Sequence, residues 1–256
     1  MTGIPHPRAR LTHVGKQYGQ HWAVRDLNLD LKAGELFAFL GPNGAGKTTT
    51  IKLLCGLLRP TSGAIEVDGF NLATHGLQAR ARMSYVPDLP YCYEHLTARE
   101  FLELTTELHG MDKEYASRRI EEVIRLFELD RFIDQLTERF SHGMRQRTVF
   151  AAAMLPEPAL LITDEPTVGL DPRSVRQLKD ILRAHTAKGN TVFLSSHSLD
   201  VVEQLADRIG IILGGKLIGC GTLAELRDQA SHSGPLEDVF LKLTQADEQP
   251  TGMDAI

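Results

Sequence analysis

Apolar and polar residues follow two different periods along this chain, and the changes between them predict strands that alternate with helices. Segments 8–14 and 23–31 alternate apolar and polar residues, as antiparallel strands with one solvated face do. Segment 36–40 is an uninterrupted apolar run, which is typical of a buried parallel strand. Further strands are predicted at 64–68, 159–162, 191–194 and 209–213, and helices after residue 48, within 97–149, after Asp171-Pro172 and at 200–206. This alternation predicts an α/β fold with a mainly parallel sheet covered on both faces.

The segment GPNGAGKT, residues 41–48, has the spacing of a phosphate-binding loop and lies between a predicted strand and a predicted helix. Its glycines let the backbone wrap a phosphate, and the following helix directs N–H groups at the anion. Lys47 is expected to bind the β- and γ-phosphates, and the Thr48 hydroxyl to ligate Mg2+. A glycine-rich turn that matches by chance is the alternative. The predicted strand before the segment and the predicted helix after it favour a nucleoside triphosphate site. The residues expected to form it are Gly41, Pro42, Asn43, Gly44, Ala45, Gly46, Lys47, Thr48 and Thr49.

Two carboxylates, Asp164 and Glu165, follow the apolar strand predicted at 159–162. Ligands of parallel sheets bind at this end of the strands. We therefore expect one carboxylate to hold Mg2+ and the other to orient the attacking water. The alternative is that the pair caps the following helix. His197 follows the strand predicted beside this one, so its imidazole is expected near the γ-phosphate, although a lone histidine is more often structural.

These features predict a P-loop NTPase core with an N-terminal antiparallel β subdomain and a helical insertion. The insertion is predicted because segment 97–149 has dense charges, apolar residues at helical spacing and no strand pattern. The predicted parts are one domain at 1–243 with its core at 1–87 and 151–221, the insertion at about 88–150, a helical extension at 222–243 and a disordered tail at 244–256.

Composition narrows the possible partners. The formal net charge of the 256 residues is −5 and there is no block of Lys or Arg, so no nucleic-acid partner is expected. The three cysteines are far apart, match no zinc or disulfide pattern and suit a reducing cytosol. No apolar run approaches the ~18–20 residues that cross a bilayer. Any membrane role is therefore expected to depend on a partner chain.

The order of these motifs resembles the nucleotide-binding subunit of ABC (ATP-binding cassette) transporters, from about residue 11 to 243. The matching positions are Tyr18 for adenine stacking, the loop at 41–48, the Q-loop at 85–88, the signature motif at 140–146, Asp164 and Glu165 as Walker B, the D-loop at 169–171 and His197 as the switch histidine. The signature residues Ser141, Gly143 and Gln146 are intact.

Two positions depart from the family pattern. Asp88 replaces the Q-loop glutamine, and we expect it either to help hold Mg2+ or only to cap a turn. His142 replaces a signature glycine, and its imidazole is expected either beside a γ-phosphate or in solvent. Both changes, and the segment 236–241, resemble a branch of bacterial exporter-type ATPases.

The resemblance implies an ATPase that uses ATP and Mg2+ and powers a separate membrane permease, with an exporter favoured. The expected assembly is a head-to-tail dimer, with a second copy or a related subunit, in which Ser141, His142, Gly143 and Gln146 act on the partner's ATP. Glu165 and His197 would be catalytic, and the subunit would lie at the cytoplasmic face of the cell membrane through the permease. The alternatives are an importer ATPase and a non-transport ABC ATPase that acts on a soluble assembly. Permease contact is expected at Leu89, Tyr91, Tyr93, Leu96 and Phe101, unless these residues form the core of the insertion.

Overall fold

The structure, a computed structural model, describes residues 6–248 and contains two sheets with helices around them. The strands are β1 (Ala9–Tyr18), β2 (His21–Leu31), β3 (Leu36–Leu40), β4 (Ser62–Val67), β5 (Phe70–Asn71), β6 (Met83–Val86), β7 (Leu160–Asp164), β8 (Thr191–Ser195), β9 (Arg208–Leu213) and β10 (Lys216–Gly221). The helices are α1 (Lys47–Leu54), α2 (Gly76–Arg80), α3 (Ala98–Leu108), α4 (Lys113–Leu126), α5 (His142–Met154), α6 (Pro172–Ala187), α7 (Leu199–Leu205), α8 (Leu223–Gln229) and α9 (Leu236–Glu248), with a 3-10 turn at Thr137–Arg139.

The larger sheet has six strands in the order β10-β9-β3-β8-β7-β6. All neighbouring pairs from β9 to β6 are parallel, and β10 is added antiparallel at one edge. The smaller sheet is antiparallel, in the order β2-β1-β4-β5. Both results confirm the predicted α/β fold with its antiparallel subdomain.

The buried faces of the larger sheet pack against different layers because strand side chains alternate in direction. Phe37, Phe39 and Phe193 lie in an apolar cluster with the smaller sheet and α1. Val192 and Leu194, from alternate positions, lie in a second cluster with the helices of the insertion. The sheet is therefore covered on both faces.

Local signals explain where several helices begin. Thr97 and Glu100 form a capping box at the start of α3, in which each side chain bonds the other residue's backbone N–H. Asp171 accepts hydrogen bonds from the backbone of Arg173 and Ser174 at the start of α6, just before Pro172. The cap of α6 is therefore Asp171 and not the Asp164-Glu165 pair.

The sequence prediction was wrong or incomplete at five places. It did not include the two-residue strand β5, the five-residue helix α2, or β6, which is only Met83–Val86. It also did not include β10, where two glycines and a lysine interrupt the apolar pattern. The disordered tail predicted from residue 244 is wrong as far as Glu248, because α9 continues to that residue. Residues 249–256 of that predicted tail lie outside the described residues. In the described part of the chain, no helix is long and apolar enough to cross a membrane.

Candidate functional site

The phosphate-binding loop joins β3 to α1 in a conformation that needs glycine at two positions. Gly46 has φ +111°, and a Cβ there would come within 2.4 Å of the Ala23 carbonyl oxygen. A Cβ at Gly41 would also come within 2.4 Å of a carbonyl oxygen, that of Ile212. Gly46 is the N-cap of α1 and has no capping side chain. The first N–H groups of the helix therefore remain free to bind an anion inside the loop.

Lys47, the first residue of α1, folds back over this loop. Its Nζ donates hydrogen bonds to the carbonyl oxygens of Gly41 at 2.5 Å and Pro42 at 3.2 Å. Burial lowers the pKa of the Lys47 ammonium, while Glu165 and Asp164 oppose that shift. The loop therefore holds a partly buried cation beside two carboxylates, which suits a polyphosphate with its counter-ion.

Asp164, the last residue of β7, is a buried carboxylate. It pairs with Ser195 across the parallel β7–β8 register, and the Ser195 hydroxyl donates a hydrogen bond to its Oδ1. Burial raises the pKa of Asp164, and this hydrogen bond works in the opposite direction. The site therefore keeps an acidic group at the edge of the sheet despite the cost of removing it from water.

Glu165 leaves the strand with an unusual backbone conformation, φ +48°. Its backbone N–H donates to the Ser195 carbonyl at 3.0 Å, and its Oε2 accepts from the His197 backbone N–H at 3.2 Å. The His197 Nδ1 lies 2.8 Å from the same Oε2. The structure therefore brings Glu165 and His197 together, as the adjacent β7 and β8 strands predict.

Most of the residues predicted to bind the nucleotide line one cavity of about 270 Å3. Its lining consists of Ala23, Pro42, Asn43, Gly44, Gly46, Lys47, Thr48, Thr49, Asp88, Asp164 and Glu165. Gly41 and Ala45 are outside this lining, and Ala45 packs in the apolar cluster below the loop. Ala23 was not predicted, because nothing in the sequence places β2 beside the loop. Tyr18 lies outside this lining, 49% exposed at the end of β1, so its role in adenine stacking stays a prediction.

The donors at this cavity fit a magnesium ion. Asp164 and Asp88 offer carboxylates, and Thr48 offers a hydroxyl. No group of three His, Cys, Asp or Glu side chains that could hold a metal occurs in residues 6–248. Mg2+ characteristically uses one or two carboxylates together with substrate phosphates, so this sparse set matches its chemistry.

The signature residues lie at the start of α5, outside the cavity lining. Ser141 is the N-cap, and its side chain accepts a hydrogen bond from the Met144 backbone N–H at 3.3 Å. Gln146 is buried, and its Nε2 donates to the Pro166 carbonyl at 3.4 Å. A Cβ at Gly143 would meet only Leu170 Cδ2, at 3.9 Å, so the fold of this chain does not itself require glycine there.

His142 contacts the backbone of its own chain, a contact that the sequence did not predict, and its place beside a partner's γ-phosphate stays a prediction. Its Nε2 lies 3.1 Å from the carbonyl oxygen of Val168, in the loop that follows Glu165. The ring is therefore held against its own chain, although the residue as a whole remains exposed.

The residues considered for permease contact divide into two groups. Phe101 packs against the core of the insertion, and Leu96 is also partly buried. Leu89, Tyr91 and Tyr93 are instead 79%, 66% and 50% exposed, and the two tyrosine rings meet edge to face. They lie within five positions of Asp88, which lines the cavity, along the chain.

Residues 24–168 match the protein family described as ABC transporter. The bacitracin transport ATP-binding protein BcrA of Bacillus licheniformis is 41% identical over 210 residues, which are 82% of this chain and 68% of BcrA. The ABC-type transporter ATP-binding protein EcsA of Bacillus subtilis (strain 168) is 34% identical over 231 residues, 90% of this chain and 94% of EcsA. The daunorubicin/doxorubicin resistance ATP-binding protein DrrA of Streptomyces peucetius is 42% identical over 212 residues, 83% of this chain and 64% of DrrA.

Solved structures agree with this match. A structure of the ATP-binding subunit of an ABC transporter superposes with a TM-score of 0.88 at 33% identity, covering 92% of this chain and 98% of that one. A dimeric ATP-binding cassette in a post-hydrolysis state, bound to ADP and Pi, superposes with a TM-score of 0.75 at 26% identity, covering 84% of this chain and 98% of that one.

Proposed function

Because this chain belongs to the ABC transporter family, we propose that it hydrolyses ATP to drive a separate membrane permease, and that the permease is an exporter. The observation that carries the proposal is the cavity in which the phosphate loop, Lys47, Asp164 and Glu165 meet. Among the relatives, the resistance function named for DrrA supports export.

Each group of the site has one part in the proposed hydrolysis. The loop N–H groups and Lys47 bind the β- and γ-phosphates, and Thr48, Asp164 and Asp88 are the residues that would hold Mg2+. When bound, Mg2+ supplies positive charge that stabilises the reacting phosphate oxygens. Glu165 accepts a hydrogen bond from the water that attacks the γ-phosphorus, and His197 holds the Glu165 carboxylate in place.

We also propose a head-to-tail dimer in which the start of α5 from one subunit covers the ATP of the other. Gly143 supports this arrangement, because its own chain leaves room for a Cβ and a close approach from outside explains the glycine better. The helix N-terminus at Ser141 would satisfy γ-phosphate oxygens that a single phosphate loop leaves exposed. The two ATP molecules would thus join the subunits until hydrolysis.

Substitution of Glu165 tests both the reaction and the dimer. Glu165→Gln keeps the side-chain shape but removes the basic carboxylate, so ATP turnover should fall about 10²- to 10⁴-fold. The variant should still bind ATP and elute as a dimer in size-exclusion chromatography with MgATP. Lys47→Ala is the matched variant, and it should lose ATP binding and remain a monomer. A Glu165→Gln protein that stays monomeric and hydrolyses ATP at the wild-type rate would overturn the proposal.

A further inference from the structure

His142 and Gln146 lie one turn apart on α5 and hold the same loop. Residues four apart share one face of a helix, so their side chains project in the same direction. His142 Nε2 lies 3.1 Å from the Val168 carbonyl oxygen, and Gln146 Nε2 lies 3.4 Å from that of Pro166. Two side-chain donors on successive turns thus meet alternate carbonyl groups of one short segment.

The loop backbone is shaped to receive the imidazole. Gly169 has φ +72°, and a Cβ at this position would lie 2.7 Å from His142 Cδ2. The ring therefore rests directly on the backbone after Val168. This close approach shows that the histidine is seated against the loop, rather than projecting freely from the helix.

The segment that these two residues hold begins immediately after Glu165. On its other side, Glu165 is tied to β8 through its backbone N–H and the Ser195 carbonyl. The Val168 N–H donates back to the Glu165 carbonyl at 3.3 Å, so the loop closes a tight turn on the catalytic residue. Its φ of +48° is a conformation that costs a non-glycine residue energy and needs support from its surroundings.

We propose that His142 is a positioning residue for ATP hydrolysis, which holds the Val168 carbonyl against α5 and thereby orients the Glu165 carboxylate toward the attacking water. This inference rests on the proposed role of Glu165. Gln146 is the second point of attachment. Gln146 is buried, whereas His142 is exposed. His142 is therefore the attachment that can be changed without disturbing the core.

The proposal is tested by replacing the donor. His142→Leu removes the N–H group and should lower kcat about fivefold, with little change in KM for ATP, because the single hydrogen bond that is lost joins the ring to the loop after Glu165. His142→Gln places an amide N–H at a similar reach and should restore most of kcat. Equal losses in the two variants, or a loss confined to KM, would overturn the inference. Thermal unfolding of both proteins checks that each is folded at the assay temperature.

A double-mutant cycle separates positioning from a general effect on the fold. In a Glu165→Gln background, His142→Leu should leave the residual single-turnover rate unchanged, since the group it positions is gone. The same fivefold loss in both backgrounds would contradict the inference while leaving the proposed function intact. Full turnover by Glu165→Gln alone would instead overturn the proposed function.

Discussion

At the scale of single residues, Asp164 is placed for binding at a cost to stability. The residue is 4% exposed, and burial raises the pKa of its carboxyl group above the value of a free aspartate. A raised pKa in the folded state means that the charged form destabilises the fold. The free energy of unfolding is therefore reduced further as pH rises through the folded pKa. Asp164→Asn keeps a hydrogen-bond acceptor for the Ser195 hydroxyl and removes the charge. Without nucleotide or Mg2+, it should be more stable than wild type by roughly 1 kcal/mol at pH 8, or about 2–4 °C in Tm.

Thermal unfolding between pH 5 and 8 measures this difference. The gain should shrink as pH falls and wild-type Asp164 takes up a proton, and MgATP should stabilise only the wild type strongly. Asp180→Asn, at an exposed position of α6, is the matched control and should change Tm little at any pH. A gain that does not depend on pH would show that the charge of Asp164 is not its cause.

The residues of the site differ in how far sequence reveals them. The phosphate loop, Asp164 and Glu165 were predictable because each group is contiguous in the sequence and follows the apolar pattern of a strand. The partner of His142 was not predictable, because Val168 is 26 positions away and is met through its backbone carbonyl, which carries no side-chain signal. Ala23 was missed for a similar reason, since it reaches the cavity from the other sheet.

At the scale of elements, one buried side chain, Arg119, adds polar contacts between α4 and the end of α5 to their apolar packing. Its Nη2 and Nε donate to the carbonyl oxygens of Met154 at 2.9 Å and Leu155 at 3.3 Å, which lie where α5 ends. Such terminal carbonyl groups have no partner within their own helix. Arg119→Met should therefore lower the free energy of unfolding by about 2–3 kcal/mol.

Urea unfolding tests this expectation, and the neighbouring residue offers a control. Arg118 is exposed and, within residues 6–248, pairs only with Glu114 on the surface, so Arg118→Met should change the unfolding free energy by no more than about 0.5 kcal/mol. If the two variants unfold alike, Arg119 does not join the helices.

Sequence predicts elements well only where the apolar pattern is long. The helices of the insertion were predicted as one helical region, but the burial of Arg119 was not. Arg is rarely buried unless it has a partner, and the sequence does not show which groups will be its partners. Strands β6 and β10 were missed because pairing in the sheet, rather than their own composition, defines them.

At the scale of the whole molecule, the exposed surface of Leu89, Tyr91 and Tyr93 is the proposed contact with the permease. Replacing both tyrosines with serine should release the chain from membranes of the native host into the soluble fraction, while the ATPase activity of the purified protein stays unchanged. Leu241→Ser, at an exposed position of α9, is the control and should remain with the membranes. Recovery of the wild type only in the soluble fraction would favour a non-transport ATPase.

The proposed dimer makes each ATP site from two chains, so two inactive variants should complement each other. Lys47→Ala disables the phosphate loop and leaves α5 intact. A Cβ at position 143 has room within its own subunit, and Gly143→Asp places a negative charge toward the partner's γ-phosphate. In a mixed dimer, the intact loop of the second variant faces the intact Gly143 of the first, and one complete site is formed.

Single-turnover hydrolysis of radiolabelled ATP measures this restored site. Each variant alone should be nearly inactive, and an equal mixture should recover a clear fraction of the wild-type amplitude, at most about half, since each mixed dimer has one complete site of two. Mixing Lys47→Ala with the Lys47→Ala/Gly143→Asp double variant leaves every dimer without a functional phosphate loop, so this control should stay inactive. If the first mixture is no more active than its separate components, the start of α5 does not complete the partner's site, and the head-to-tail arrangement is wrong.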